Sequence, residues 1–314
     1  MGRVIPLVID TDPGVDDAVA LLTALGSPEA ELLAVTTVFG NVDLATTTVN
    51  AGRLLALGGR PDVPVGMGAD RPLVHPQPYR AAEWHGDDGL GGYAGTLPPP
   101  AAPVDPRGAV GLLADVLRTA PEPVTIAAVG PLTNIALLLA VHPELAPRIG
   151  RLVVMGGALS GGNTTPAAEF NIWSDPEAAR RVLVEERVPT TLVPLDLTTR
   201  SWVDVAWLDT LAAAGPRGAT LASVIEHYRA RYRTTYGRDG VVLHDAIAVL
   251  EAVVPGILRT TPLPLEVACD HGPARGAVLA DRSPPADAAR LVDVALDADL
   301  DTVRAEVLRR ITAA

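Results

Sequence analysis

The amino-acid sequence predicts an α/β fold with a mostly parallel central sheet flanked by helices. Over the first two thirds of the chain, short β-branched apolar runs alternate with stretches in which apolar residues recur at helical spacing. The runs are continuous in hydrophobicity, which is typical of strands covered by helices on both faces. The chain has 314 residues, 48% of them hydrophobic, with no change in composition that would mark a linker. We therefore expect one domain over residues 1–314.

The individual elements are predicted from the same periodicities. Strands are predicted at residues 4–9, 31–38, 63–67, 124–129, 151–155 and 190–195. Helices between or after them are predicted at residues 17–25, 46–57, 109–119, 132–141 and 176–186. The remaining regular segments are a largely helical region at 203–236, helices at 244–254 and 302–311, and strands at 262–268, 276–279 and 290–296. Residues 68–107 are rich in Gly and Pro and predict a long loop, which in a compact domain is usually functional.

Charge and residue usage exclude several classes of function. The formal net charge of −12 argues against a nucleic-acid partner or an anionic membrane surface. All 25 basic residues are arginine, so Schiff-base chemistry and a P-loop lysine are excluded. The single cysteine, Cys269, excludes an intramolecular disulfide and a cysteine-rich zinc site. No apolar run has the length of a signal peptide or a membrane span, so we expect a soluble, cytoplasmic protein.

Four carboxylates lie where the first predicted strand turns into the first predicted helix. They are Asp10, Asp12, Asp16 and Asp17, within eight residues. Helix capping explains one or two of them, because acids are favoured at a helix N-terminus. Four acids this close repel one another strongly unless a cation or raised pKa values relieve the repulsion. An all-oxygen set of ligands favours Ca²⁺ or Mg²⁺ over zinc.

Two further groups of polar residues lie at predicted strand ends or helix starts. His244 and Asp245 open a predicted helix, where a capping Asp with an incidental His also fits the sequence. Coupled to the first cluster, Asp245 becomes a candidate metal ligand and His244 a candidate proton donor. Asn41, Asn163, Glu169 and Asn171 follow other strands, where amides and a carboxylate suit sugar hydroxyls. A role in a turn fits any one of these asparagines equally well.

Seven motifs occur together in a characteristic order: DTDPGVDDAVAL, TTVFGN, HGDDGLGG, GPLTN, MGG, AEFNIWSDPEAA and LHDA. In this combination the chain resembles the inosine/uridine-type nucleoside hydrolases nearly from end to end, and the first motif is highly specific to that family. The resemblance implies a single α/β domain with a Rossmann-like core. It also implies Ca²⁺-dependent hydrolysis of the N-glycosidic bond of ribonucleosides, and a homodimer or homotetramer.

The resemblance assigns the metal site residue by residue. Asp12, Asp17 and Asp245 correspond to carboxylate ligands of calcium, and Val129 to the residue that gives its backbone carbonyl. Asp12 also corresponds to the general base for the attacking water, and Asp10 supports the site. A ring of carboxylate and amide oxygens would stabilise the positive charge that develops on the ribose ring in the transition state.

The resemblance likewise assigns the substrate positions. His244 matches the histidine that protonates the leaving base, which is needed because the departing base is a poor anion. The positions implied on the ribose side are Asp16, Asn41, Met155, Asn163, Glu169 and Asn171. The positions implied on the base side are His85, Tyr228 and Tyr232. These tyrosines and His244 favour a broad purine and pyrimidine enzyme, and selectivity for pyrimidines stays open.

Two other functions are compatible with parts of the sequence. Aspartyl-phosphate phosphatases also have Asp-x-Asp after their first strand, with Asp10 as nucleophile and Asp12 as acid/base here. That chemistry normally uses a later lysine, which this chain lacks. A non-catalytic nucleoside or sugar sensor on the same scaffold is disfavoured because both Asp12 and His244 are present.

Overall fold

An eight-stranded sheet lies at the centre of the fold. The computed structural model describes residues 4–74, 80–283 and 290–313. The strands in chain order are β1 (Ile5–Thr11), β2 (Ala30–Thr37), β3 (Val65–Met67), β4 (Val124–Ala128), β5 (Ile149–Met155), β6 (Thr190–Val193), β7 (Trp202–Asp204), β8 (Gly240–Val242), β9 (Leu258–Leu263), β10 (Leu265–Val267), β11 (Val278–Ala280) and β12 (Val292–Ala298). The helices are α1 (Val15–Leu25), α2 (Leu44–Leu57), α3 (Ala82–His85), α4 (Gly108–Thr119), α5 (Thr133–Val141), α6 (Phe170–Ser174), α7 (Pro176–Arg180), α8 (Leu195–Thr198), α9 (Val205–Ala213), α10 (Pro216–Tyr236), α11 (Asp245–Val253) and α12 (Leu300–Ala313).

The strand order of the central sheet is β3-β2-β1-β4-β5-β6-β12-β9. Within the described residues, every neighbouring pair in this sheet is parallel except β12 with β9. The predicted mostly parallel sheet is therefore confirmed. Because β1 is flanked by β2 and β4, the carboxyl ends of three central strands meet at one edge, where ligands bind in open α/β sheets.

Helices cover both faces of the sheet and bury two apolar clusters. Alternate residues of β1 point to opposite faces, so Leu7 and Ile9 join one cluster while Val8 joins the other. Helices α1, α2, α11 and α12 contribute to the first cluster, and α4, α5 and α7 to the second. Among the described residues, no helix has both the length and the apolar character needed to cross a bilayer.

Helix starts follow the capping chemistry of their sequences. Asp17 Oδ2 accepts a hydrogen bond from the Gly14 backbone amide at 2.8 Å, which closes the first turn of α1. Asp43 caps α2, and Asp175 caps α7 with Pro176 at the first helical position. Helix capping therefore explains Asp17. It does not explain the other three acids of the cluster, Asp10, Asp12 and Asp16.

Three predicted elements differ from those observed. The predicted strand 262–268 is two strands, β9 and β10, that separate at Pro264, which has no N–H for a sheet hydrogen bond. The helical region 203–236 begins with β7 and breaks between α9 and α10 at Gly215, whose φ of 106° is unsuitable for other residues. The predicted helix 176–186 is α7 followed by one wider turn, Arg181–Glu185.

The predicted loop 68–107 has local structure of its own. The described part of this loop contains α3 and one 3₁₀ turn, Ala94–Thr96. Asp88 organises the segment between them, because its carboxylate accepts hydrogen bonds from the backbone amides of Leu90, Gly92 and Ala94 at 2.8–2.9 Å. Residues 75–79 of this loop lie outside the described part of the chain.

Candidate active site

A cavity of about 470 Å³ opens at the carboxyl edge of the sheet. Its walls come from the loops after β1, β2, β4 and β5, together with α3, α10 and the start of α11. Except for Asp10, Asp12 and Asp17, all the site residues predicted from the sequence line it. Those three are buried beside it. The structure therefore brings together groups that lie up to 235 positions apart in the chain, from Asp10 to Asp245.

Three carboxylates form a compact oxygen-donor group at the base of the cavity. Asp16, Asp17 and Asp245 each offer an oxygen, and these atoms lie within 4.8 Å of one another. Burial, followed by repulsion from Asp16, raises the pKa of Asp17 to about 6 and that of Asp245 well above its ordinary value. Such crowding fits a divalent cation with oxygen ligands, because a cation would remove the repulsion that raises these pKa values.

Asp12 lies beside this group and is held from two sides. The backbone amide of Asn41 donates to Asp12 Oδ2 at 2.8 Å, and burial and then the charge of Asp17 raise the Asp12 pKa well above its ordinary value. The side chain of Asn41 donates to Asp17 Oδ2 at 3.1 Å and to the Asp12 carbonyl at 3.2 Å. One asparagine thus fixes the separation of two of the predicted metal ligands.

Two glycines make room for the Asp12 carboxylate. A Cβ atom at Gly40 would lie 1.9 Å from Asp12 Oδ2, and one at Gly130 would lie 2.6 Å from Oδ1. Both contacts are far shorter than van der Waals distances, so no larger residue fits at either position without moving the carboxylate. These glycines belong to the TTVFGN and GPLTN motifs, which explains why those motifs accompany the acidic one.

Asp10 supports the site from beneath. Its Oδ1 accepts hydrogen bonds from Thr36 Oγ1 at 2.5 Å and from Asn134 Nδ2 at 2.8 Å. Its Oδ2 has no hydrogen-bond partner among the described residues. Burial raises the pKa of this carboxyl to about 7.

The ribose side predicted from the sequence is built on the segment after β5. Both oxygens of Glu169 are engaged, because they accept hydrogen bonds from the amides of Gly157, Asn171 and Ile172 at 2.8–3.1 Å. Burial nevertheless raises the pKa of Glu169 to about 7. Asn163 Oδ1 accepts from the Phe170 amide at 3.0 Å. Glu169 and Asn163 are therefore capping and turn residues that also line the cavity, and their contact with a sugar stays a prediction.

Asn171 ties the predicted ribose side to the predicted metal site. Its Nδ2 donates to the Val129 carbonyl at 2.9 Å and to the Met155 carbonyl at 3.2 Å. The Val129 carbonyl, which the sequence resemblance implies as a metal ligand, thus lies in the cavity wall with one hydrogen bond already made.

The opposite wall, on the base side predicted from the sequence, carries His85. Its Nδ1 accepts a hydrogen bond from the Val15 amide at 3.1 Å, so the neutral ring carries its proton on Nε2. Nδ1 lies 3.8 Å from Asp16 Oδ1, and the ring stacks on Tyr228 with centroids 5.3 Å apart. Burial lowers the pKa of His85 to about 4.

His244 lies in a row of hydroxyl groups. Its Nδ1 is 2.8 Å from Thr198 Oγ1, and its Nε2 is 3.1 Å from the Tyr232 hydroxyl. The Tyr232 and Tyr228 hydroxyls are 3.4 Å apart. Burial lowers the pKa of His244 to about 4, so the imidazole is neutral at pH 7.

Sequence reasoning missed several residues of this wall. Trp84 packs edge-on against Tyr232 with centroids 5.5 Å apart, and Trp202 does the same at 5.6 Å. Arg238 stacks over Trp202 at 4.2 Å, and Tyr236 continues the tyrosine face of α10. The spacing of four residues between the tyrosines of α10 could have indicated one shared helix face. No comparable spacing in the sequence places Trp84 and Trp202 beside these tyrosines.

The family of this chain follows from its match to a known sequence model. The sequence model of the inosine-uridine preferring nucleoside hydrolases matches residues 7–305. The chain belongs to this family. Membership makes the protein a nucleoside hydrolase, an enzyme that acts on ribonucleosides, and excludes the aspartyl-phosphate phosphatase alternative.

Curated relatives and solved structures agree with this assignment. The nucleoside hydrolase is 41% identical over 258 residues to a pyrimidine-specific ribonucleoside hydrolase RihA of Salmonella enteritidis, covering 82% of each chain. It is 43% identical to the Klebsiella pneumoniae protein of the same description, again covering 82% of each chain. Its structure is similar to that of a plant nucleoside hydrolase with a TM-score of 0.92, 33% identity and 99% coverage of both chains. A purine-preferring ribonucleoside hydrolase from Gardnerella vaginalis gives a TM-score of 0.92 at 32% identity and 98% coverage of both chains.

Proposed function

We propose that this nucleoside hydrolase is a calcium-dependent enzyme that hydrolyses the N-glycosidic bond of ribonucleosides to free base and ribose. Asp12, Asp17, Asp245 and the Val129 carbonyl would hold one Ca²⁺. The observation that carries the proposal is the group of buried carboxylates that shares one cavity with an aromatic wall. One domain over residues 1–314, a homodimer or homotetramer and a cytoplasmic location belong to the same proposal.

Asp12 is the proposed general base. It is buried beside the other carboxylates, and the Asn41 backbone amide holds its Oδ2 in place at 2.8 Å. When bound, calcium would orient the sugar hydroxyls and make water in the site more acidic. Asp10 lies one hydrogen-bonded layer beneath and keeps this region of the site rigid through Thr36 and Asn134.

The ribose binds, in this proposal, between Asp16 and the segment after β5. Asp16, Asn41, Asn163, Glu169 and Asn171 offer oxygen and amide groups to its hydroxyls, and Met155 contacts the sugar. Negative charge around the sugar stabilises an oxocarbenium-like transition state more than it stabilises the neutral substrate. The carboxylates of Asp16, Glu169 and Asp245, which line the cavity, would supply that charge.

In this proposal the base binds against the aromatic wall. It is protonated near His244 as it leaves the sugar. His85, Tyr228 and Tyr232 surround the space next to His244. Pyrimidine ribonucleosides are proposed to be among the substrates, because relatives with 41–43% identity are named pyrimidine-specific. The tyrosine hydroxyls also suit purines, since each can donate to or accept from a base edge.

The test combines metal analysis with a substrate panel. Enzyme purified without chelator is analysed for bound metal, and free ribose is measured with uridine, cytidine, inosine, adenosine and guanosine. We expect one calcium per chain and ribose release from at least uridine. Asp62→Asn, at an exposed carboxylate paired with Arg60, is a matched control that should keep full activity. Enzyme that contains no divalent ion, or that is active without one, would overturn the calcium assignment.

A further inference from the structure

The hydroxyl of Thr198 contacts a histidine side chain and not a carbonyl of its own helix. Thr199, next to it in the chain, donates to the Leu195 carbonyl at 2.6 Å, as hydroxyls on helices commonly do. Thr198 is fully buried, and its Oγ1 contacts His244 Nδ1 at 2.8 Å. Among the described residues this is the only hydrogen bond found for the Thr198 hydroxyl.

That contact decides which nitrogen of His244 carries the proton. If Nδ1 carried it, Nδ1–H would donate to Thr198 Oγ1, and the threonine hydrogen would be left without an acceptor among the described residues. A buried donor without an acceptor is unfavourable. If Thr198 donates to a bare Nδ1, both groups are satisfied and the neutral ring carries its proton on Nε2.

The tautomer then sets the orientation of the next hydroxyl. With its proton on Nε2, His244 donates to the Tyr232 oxygen at 3.1 Å, so the Tyr232 hydrogen points away from the histidine. The Tyr228 oxygen is 3.4 Å away, longer than a normal hydroxyl hydrogen bond. Tyr232 lines the cavity, so its hydrogen is available to a bound molecule.

We propose that Thr198 is a positioning residue, which fixes the Nε2–H tautomer of His244 and so makes the Tyr232 hydroxyl a hydrogen-bond donor to the nucleobase. The base must therefore present a lone pair at this point, such as a carbonyl oxygen or an unprotonated ring nitrogen. The part that concerns the base rests on the proposed function, whereas the part that concerns the tautomer does not.

The tautomer is tested on the resting enzyme without substrate. Nitrogen-15 NMR of the histidine-labelled protein, with the His244 signals assigned by comparison with His244→Gln, distinguishes a protonated Nε2 from a protonated Nδ1. We expect Nε2–H in the wild type and in Thr198→Ser, which keeps the hydroxyl. In Thr198→Val, which is similar in shape and lacks the hydroxyl, Nδ1 has no partner in either tautomer, and we expect a mixture of the two.

A second measurement links the tautomer to the base. In Thr198→Val we expect kcat/KM for uridine to fall with the Nε2–H population, by up to about tenfold if that tautomer becomes the minor one. Hydrolysis of p-nitrophenyl riboside should stay within about threefold, because its leaving group needs no donor. Thr198→Ser should restore uridine hydrolysis.

Several outcomes would overturn the inference. Nδ1–H in the wild type, or Nε2–H retained in Thr198→Val, means that Thr198 does not set the tautomer. Equal losses on uridine and p-nitrophenyl riboside would remove Tyr232 as the donor to the base. If Thr198→Val does not fold, the wild-type and Thr198→Ser spectra still decide the tautomer. Absence of any nucleoside hydrolysis by the wild type would instead overturn the proposed function and leave the NMR result standing.

Discussion

Nδ2 of Asn134 lies 2.8 Å from Oδ1 of Asp10, so the start of α5 is joined to the end of β1 directly beneath the carboxylate cluster. The same nitrogen donates to the Thr37 carbonyl at 2.9 Å, and Asn134 Oδ1 accepts from the Ala69 amide at 2.9 Å. All of these contacts require the amide in one orientation. The buried side-chain amide of Asn134, the last residue of the GPLTN motif, therefore uses both its nitrogen and its oxygen to join three segments.

Asn134→Asp should strongly destabilise the enzyme. The change removes the donor to Asp10 and adds a second carboxylate beside it, and an uncompensated buried charge lowers stability by about 3 kcal/mol. Urea unfolding at neutral pH measures the loss. The loss should shrink as pH falls, because protonation neutralises the new carboxyl. An unchanged unfolding midpoint would show that the connection carries no stability.

Asp12→Asn tests the proposed general base. The amide keeps the shape and can still accept from the Asn41 backbone, but it cannot take a proton from water. We expect kcat for uridine to fall by about 10²–10⁴-fold. Calcium content should be measured on the same sample, because Asp12 is also a proposed ligand. A kcat close to that of the wild type would contradict the role.

His244→Ala separates help with the departing base from binding of the sugar. The variant removes the partner of Tyr232, so hydrolysis of inosine should fall by roughly 10²-fold. Hydrolysis of p-nitrophenyl riboside, whose leaving group is already stable, should change little. Steady-state kinetics on both substrates provide the comparison. Equal losses would show that His244 does not act on the base.

Chelation should lower both activity and thermal stability. Without a cation, the repulsion that Asp16, Asp17 and Asp12 exert on Asp245 is no longer compensated. A ligand present at 100 times its dissociation constant stabilises by about 2.7 kcal/mol, which corresponds to a Tm shift of roughly 5 °C for a chain of this size. Calorimetry with EGTA, then with added Ca²⁺ or Mg²⁺, measures the shift and identifies the ion. Equal Tm values in EGTA and Ca²⁺ would exclude a calcium site in the folded enzyme.

Arg310→Met should lower stability without affecting catalysis. Arg310 is 1% exposed and donates to Glu29 Oε2 at 2.6 Å, which joins α12 to the segment before β2. We expect a loss of about 1–2 kcal/mol, reduced by the partial exposure of Glu29. The hydrogen bond from Arg310 lowers the pKa of Glu29 below its unfolded value, so this stability is present above the unfolded pKa and is lost as pH falls through the folded one.

Unfolding at neutral pH and at about pH 3 therefore provides the check. The wild type and Arg310→Met should differ more at neutral pH than in acid. A difference that is constant with pH would assign the effect to lost packing alone. Uridine hydrolysis should be unchanged, since this ion pair lies at the opposite end of β2 from the cavity.

The sequence predicted the central sheet because buried parallel strands leave a local pattern that helices interrupt. Short elements without a period were missed: β7, β8 and α8 have only three or four residues each. The carboxylate cluster was visible because most of its members are neighbours in sequence. Thr198 was not, because nothing local distinguishes it from Thr199, and its partner His244 lies 46 positions away. Pairings of that kind are set by the fold and not by neighbouring residues.

Gly40 and Gly130 enclose the Asp12 carboxylate so closely that neither position can accept even a methyl group. A side chain at either position therefore displaces Asp12, the proposed general base. The aromatic residues across the cavity lie on α3, β7 and α10, away from these two glycines. Under the proposed function, base preference can be engineered on those elements while Gly40 and Gly130 are left unchanged.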